Sequence, residues 1–297
     1  MSTFEPVWGP VIAGYLFLAG LGAGAFLFAF ILELKFPQAV KMRRFAHILT
    51  PVAVALGLVL LLADAPGALH NPLRILLLFS NLQSVMTWGV YFLIIFFAVS
   101  AFVMIIELKK DYILPRSLNI IGVIAAFCVA LYTGVLLGVC KTFPLWNNAL
   151  LPILFLVSAL SAGAAALLLY AALFAPAELK GITGLRKLQY LLPVIELVLL
   201  ASLLFITFYN SSAGAASVLM LVTGSWSPWF WVGLVFCGLL LHLIVETKPL
   251  FFSAGGAASH GALARYTDVG LNALALCGGF LLRLLIVMAA MPLAIAV

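Results

Sequence analysis

Eight separate runs of apolar residues, each about as long as a bilayer is thick, leave this chain few folds to adopt. They fall at about 11–33, 45–63, 88–108, 117–139, 149–174, 188–210, 229–247 and 268–290. A helix needs roughly 20 apolar residues to cross a hydrocarbon core of about 30 Å. In lipid only helices and closed barrels satisfy their own backbone polar groups. The predicted fold is therefore an all-α integral membrane protein of eight transmembrane helices. Composition agrees: 66% of the 297 residues are hydrophobic and 8% are charged, with a mean hydropathy of +1.28. A soluble domain carries roughly a quarter charged residues, so too few polar groups exist here to cover a water-soluble globule. The first run has no basic residue ahead of it and is longer than a leader's apolar region, which reads as a span and not a cleaved signal.

The basic residues set an expected orientation. Twelve of them follow runs one, three, five and seven: Lys35, Lys41, Arg43, Arg44, Lys109, Lys110, Arg116, Lys180, Arg186, Lys187, Lys248 and Arg265. Only Arg74 and Lys141 lie on the other side, and Arg283 lies within the eighth run. By the positive-inside rule both termini face away from the cytoplasm, so the expected location is the inner (cytoplasmic) membrane of the cell, in contact with lipid. The net charge of +6 forms no dense basic run, which excludes nucleic acid as a partner. Cys128, Cys140, Cys237 and Cys277 stand singly with no CxxC pair, so no metal is expected in this chain.

Two weak internal matches share an offset of 139 residues. LAGLGAGAFL at 18–27 lies over VSALSAGAAAL at 157–167, and IIELK at 105–109 over IVETK at 244–248. Gly24 then falls on Gly163 and Glu107 on Glu246. The matching runs have the same direction, so a first four-helix bundle (1–147) would stand beside a second (148–297). The loops at about 64–87, 211–228 and 248–267 hold no soluble domain. Small residues spaced four apart, Gly20 and Gly24, Gly134 and Gly138, mark close helix contacts.

Ionisable side chains within a bilayer cost roughly 2.5–3.5 kcal/mol at its centre, so each calls for a reason. Glu33, Glu107 and Glu246 recur as Glu-x-Lys at span ends and read as interfacial ion pairs with Lys35, Lys109 and Lys248. Asp111 and Glu178 fall in loops and carry no assignment. Tyr15, Asp64, Tyr132 and Arg283 come from four different spans yet all fall in the outer half of the membrane. As isolated groups they are belt tyrosines and a neutralising pair; as a set they form a polar pocket suited to a quinone. Tyrosine hydroxyls can donate to its carbonyls, a carboxylate can take a quinol proton, and an arginine can hold that carboxylate ionised. Glu196, His242, Asp268 and Glu246 lie deeper toward the cytoplasm and are candidates for a proton path, with Glu196 the one clearly buried in a span. Haem ligation needs facing histidines; the one conceivable pair, His47 with His242, would leave the outer pocket without a relay, so no haem is expected.

Further motifs carry a resemblance. W8-G9-P10 leads to Y15-L16-F17-L18-A19-G20-L21-G22-A23-G24, and Asp64 ends span two. Then come Pro72-x-Arg74, Ser84-x-Met86-x-Trp88-Gly89, Tyr132-Thr133-Gly134, Pro144-x-Trp146, Leu151-Pro152, Ser158-Ala159 with Gly163, Glu196 and Gly278-Gly279-Phe280-x-x-Arg283. In this order they resemble the NrfD family, the polysulfide reductase membrane subunits. That resemblance implies a haem-free, quinone-reactive subunit of a respiratory oxidoreductase, exchanging electrons between menaquinone or ubiquinone and an iron–sulfur partner on the outer face. A molybdopterin catalytic subunit would lie beyond that partner. It implies that Tyr132 matches the tyrosine near the quinone head group. Tyr15 falls where the polysulfide reductase subunit has a histidine, and Ile12 where it has an asparagine. Arg74 would meet the iron–sulfur partner. A secondary transporter, with discontinuous helices in corresponding places of its two halves, is the alternative. Pro193 in span six is the one such interruption read here, with no mid-depth counterpart in span two. A membrane anchor without redox chemistry is the third reading.

Overall fold

The computed structural model describes residues 8–64, 81–109, 115–179, 181–247 and 262–293. Its helices are α1 (Pro10–Lys35), α2 (Val40–Ala63), α3 (Val85–Leu108), α4 (Arg116–Gly138), α5 (Leu150–Phe174), α6 (Thr183–Asn210), α7 (Ser212–Val222), α8 (Trp229–Thr247) and α9 (Ala262–Met288). No strand occurs among the described residues. All except α7 are long and apolar enough to cross a membrane, and they coincide with the eight predicted spans. The protein is a multi-pass helical membrane protein.

Helix α7 occupies a stretch expected to be loop. Its reason is local: the Ser211 side chain accepts a 3.0 Å hydrogen bond from the Gly214 amide and caps the start of an alanine-rich segment. Prolines sit inside α2 (Pro51) and α6 (Pro193), and both helices run through them unbroken. Pro51 lies midway along α2, which corrects the reading that span two has no mid-depth proline. Residues 229–240, the first part of α8, wind as a π-helix, and α-helical winding resumes at Leu241.

Helix α1 is the hub, packing against α2, α4, α5 and α9. Helix α3 lies between α2 and α4; α6 and α9 both flank α5, and α8 lies against α9 and α6. Lipid is as apolar as a leucine side chain, so close backbone approach has to supply the packing energy. It does so at α1 and α5, where a Cβ on Gly24 would overlap the Ala159 carbonyl and one on Gly163 would overlap Gly24. Gly20 similarly faces Ala159. Residues matched by the 139-residue offset thus lie side by side.

The two ends of the helices differ in chemistry. Where α1 begins, Trp8 stacks on Trp146 (5.2 Å, 19°), the Trp146 indole donates to Ile286 O of α9 (2.7 Å), and Leu293 N bonds Thr142 O. We term this the amino-terminal face. The opposite, basic face gathers Arg43, Arg44, Arg186 and Arg265; Arg265 there donates to the carbonyls ending α5, Ala172 and Leu173 (2.6 and 2.7 Å). Glu178 accepts from the first amides of α2, Lys41 (2.9 Å) and Met42 (3.0 Å), so a loop acid without an expected role caps a distant helix.

Candidate functional site

Tyr15 projects from α1 into the protein near the amino-terminal face and is 1% exposed, which separates it from the lipid-facing aromatic belt. Its ring lies against Gly57 of α2, where a Cβ would meet it at 3.6 Å. Tyr132 of α4 is 5% exposed and belongs to the same buried cluster as Tyr15. The Tyr132 ring lies directly over Gly89 of α3, where any side chain would overlap its hydroxyl end. Its hydroxyl reaches Met86 O at a long 3.5 Å, and Phe92 meets the ring edge-on at 6.4 Å. A long, weak bond leaves a phenol hydroxyl able to turn to a better acceptor. Asp64 caps the end of α2 at this face and is half-buried. Arg74 and His70 lie outside the described residues, as do Asp111, Lys180, Lys248 and His260.

Arg283 stands apart from Asp64, and the expected pair does not form. Its guanidinium is fully buried at the junction of α1, α5 and α9. It donates to Gly279 O (2.8 Å), Ser158 Oγ (3.0 Å), Leu16 O (3.2 Å) and Phe155 O (3.4 Å), between the rings of Phe155 (5.2 Å) and Phe17 (5.8 Å). The physical reason is depth: Arg283 enters the bundle about a helical turn from the end of α9, where helix carbonyls, each with a second lone pair to offer, meet it before a carboxylate does. Among the described residues the acid whose charge acts on it is Glu196.

Glu196 heads a polar column between α6 and α9. Arg186, Gln189, Pro193 and Glu196 recur at three- and four-residue spacing and so share one face of α6. Facing them, Asp268, Asn272, Gly279 and Arg283 share a face of α9. Arg186 pairs with Asp268 at 2.7 Å, Gln189 donates to Asn272 at 2.6 Å, and Asn272 donates to Asp268 O at 2.7 Å. His242 and Glu246 of α8 border this column and feel the charges of Arg186 and Asp268. They are 2% and 8% exposed, so Glu196 is not the only acid or base buried in a span. Glu196 Oε1, His242 Nδ1 and Glu246 Oε2 are buried with no hydrogen-bond partner among the described residues. Buried polar atoms in that state are the usual seats of ordered water.

The first four helices are arranged differently. Below the tyrosines, Phe26 and Phe96 meet edge-to-face at 5.8 Å and, with Leu93, Val103 and Val129, form a fully buried apolar block. The buried hydroxyls of Thr50, Ser100 and Thr133 turn onto backbone carbonyls. At the basic end Glu107 lies 3.3 Å from Arg43, 3.9 Å from Arg44 and 3.5 Å from the buried His47, while Glu33 accepts from Asn119. The Glu-x-Lys ion-pair reading is thereby corrected for Glu33 and Glu107, whose bonds run to neighbouring helices. Side chains two apart on a helix point to different sides.

Arg186, Gln189 and Asn272 do not stand out as site residues in the sequence. Their spacing on α6 and α9 is the signal that could have found them, because a single polar residue in an apolar run says little until its helical neighbours are polar too.

The eight long apolar helices, with polar side chains buried between them, define a class: a polytopic helical membrane protein. The chain belongs to the family described as "Polysulphide reductase, NrfD", which it matches over residues 2–294. It is 33% identical to a polysulfide reductase chain of Wolinella succinogenes, over 92% of this protein and 90% of that one. It is 28% identical to the protein NrfD of Escherichia coli (86% and 92%). It is also 28% identical to a selenate reductase subunit of Mesobacillus selenatarsenatis (68% and 57%).

Proposed function

We propose that this chain is the quinone-reactive membrane subunit of a respiratory reductase-type complex, exchanging electrons between menaquinone or ubiquinone and an iron–sulfur partner subunit at the amino-terminal face. The observation that carries this reading is the pair Tyr15 and Tyr132, drawn from α1 and α4 into one buried cluster. Relatives named as subunits of polysulfide and selenate reductases support a place in such a complex. A quinone supplies two-electron, two-proton chemistry; the chain must supply donors for its carbonyls and apolar walls for its ring. The residues fit: two phenols stand in a buried apolar cluster with Phe92 edge-on to Tyr132, and Asp64, which caps α2 at the same face, would accept a proton on the side facing water. Arg74, expected to meet the iron–sulfur partner, belongs to the same proposal, as does a molybdopterin catalytic subunit beyond it.

Glu196, His242, Glu246 and Asp268 are proposed as a proton path from the basic face. Support comes from the asymmetry between the halves: polar pairs join α6 and α9 at Arg186–Asp268 and Gln189–Asn272, with Glu196 buried further in, whereas Phe26 and Phe96 close the first four helices. The neighbour pattern, with α1 to α4 in one ring and α5, α6, α8 and α9 in another, supports the two-bundle arrangement. The basic excess supports an inner-membrane location with both termini outside the cytoplasm.

The test is quinol-linked turnover in membranes carrying wild-type protein, Tyr132→Phe or Asp64→Asn, with assembly of the partner subunits followed in parallel. We expect Tyr132→Phe to lower turnover roughly a hundredfold, within the range for a lost proton-transfer or donor group, with assembly intact. Unchanged turnover in both variants rejects the site and returns the protein to an anchoring or transport role.

A further inference from the structure

Resting on the quinone reading, we propose that the quinone reaches Tyr132 sideways from the lipid, across the first two turns of α3, and that its apolar tail lies along Trp88 and Phe92 of that helix. A long apolar tail keeps such a molecule dissolved in hydrocarbon, so its site needs a wall that opens to lipid. Among the eight spans α3 is the least buried, and it lies between α2 and α4. The hydroxyl end of Tyr132 rests on its backbone: Gly89 offers no side chain there, and the hydroxyl reaches Met86 O at 3.5 Å. In the same turn, the side chains of Met86 and Trp88 are 42% and 50% exposed. One turn of one helix therefore separates the phenol from hydrocarbon. Tyr15 stands on α1, which packs against four helices, so the thinner wall is the one at Tyr132.

A row of rings leads across this place. Trp88 and Phe92 stand four residues apart and so share a side of α3. Their ring centroids are 6.3 Å apart, and Phe92 in turn meets Tyr132 edge-on at 6.4 Å. Exposure falls along the row, from Trp88 at the surface through the partly buried Phe92 to the buried Tyr132. Trp88 is also held in place, because its indole N–H donates to Leu82 O at 3.0 Å, just ahead of α3. A tryptophan of the interfacial belt turns its N–H to the headgroups. Here the N–H is bonded within the chain and the ring is fixed beside Phe92, which gives a standing apolar edge from lipid to phenol.

Tail length separates this role from packing. In membranes containing the whole complex, turnover is measured with a long-tailed quinol and with a short-chain one. We expect Trp88→Ala and Phe92→Ala each to raise the KM of the long-tailed quinol about fivefold, roughly what one aromatic contact supplies. Their kcat should stay within roughly twofold of wild type, and the KM of the short-chain quinol should hardly change. Trp229→Ala, which removes a 58% exposed tryptophan from α8, is the control and should alter neither KM. An unchanged KM for the long-tailed quinol overturns the proposal, as does an equal rise for both quinols or an equal rise in the control.

Should either alanine variant fail to assemble, the wild-type complex decides the question. It is photolabelled with a quinone carrying a diazirine on its tail, and the labelled peptides are sequenced. Label within residues 85–92 that excess unlabelled quinone displaces is the expected result; absence of displaceable label from α3 rejects the route. Tyr132→Phe run alongside separates the two claims. Lost turnover in Tyr132→Phe with displaceable label on another helix rejects the route and leaves the quinone site standing. Full activity of Tyr132→Phe rejects the quinone site itself, and the route with it.

Discussion

Gly89 shows how much one side chain, or its lack, decides. The Tyr132 ring occupies the volume that a Cβ on Gly89 would need, so the phenol is set against the α3 backbone and not against a neighbouring side chain. Gly89→Ala must therefore push the ring away. We expect it to reduce quinol turnover nearly as far as Tyr132→Phe does, while the double variant is little worse than either, measured as kcat in membranes. Additive losses would show that Gly89 matters for packing alone. Gly57 makes a related point, since the repeat offset lays it on Glu196. In the first half the position carries no side chain and the Tyr15 ring lies in van der Waals reach of it; in the second it carries the acid.

Helix contacts decide stability at the scale of elements. Where α1 crosses α5, Gly24, Ala159 and Gly163 bring backbones into contact, and no rotamer change relieves a clash with backbone. Gly24→Ala should lower the thermal unfolding midpoint of the detergent-solubilised protein and weaken it by about 1–3 kcal/mol, as overpacking does. Gly138→Ala is the matched control, because the nearest atom to its Cβ would be Trp146 O at a comfortable 3.8 Å. An equal effect of the two variants would refute the contact. The cap made by Glu178 belongs to this scale too. Two amides at the start of α2 lose their acceptor in Glu178→Ala, which should cost about 1 kcal/mol and leave quinol turnover untouched. Pro51 and Pro193 are tolerated because neighbouring helices in a bundle hold a helix together where one hydrogen bond is missing.

Over the whole molecule, the two halves share a packing plan and differ in their interiors. The His47–Glu107 contact corresponds by the same offset to Arg186 and Glu246, so both halves have a charged cluster at the basic face. Only the second carries further polar side chains inward on α6 and α9, the Gln189–Asn272 pair and then Glu196; aromatic and aliphatic side chains seal the first. If protons are taken up from the basic face, Glu196→Gln should abolish uptake linked to quinol turnover in sealed vesicles, and Glu107→Gln should leave it intact. Loss of uptake in the first-half variant and not the second would reverse the assignment.

Residue order alone was enough for the span count, the apolar character of every long helix and the concentration of charge at one end. Those follow from residue type and from the length a bilayer demands. Tyr15, Tyr132 and Glu196 were also legible as polar groups within spans, because hydrocarbon makes such residues conspicuous. Which polar group faces which depended on how the helices cross. Arg283 and Asp64 lie at the same end by sequence, yet crossing helices deliver the guanidinium to Ser158 and the carbonyls of α1 and α5. The acids Glu33 and Glu107 at span ends similarly turn to other helices and not to the lysines two residues away. A helix fixes the direction of each side chain relative to its own axis; only the rotation and approach of the neighbouring helices, set here by glycines at α1, α5 and α3, decide what that direction meets.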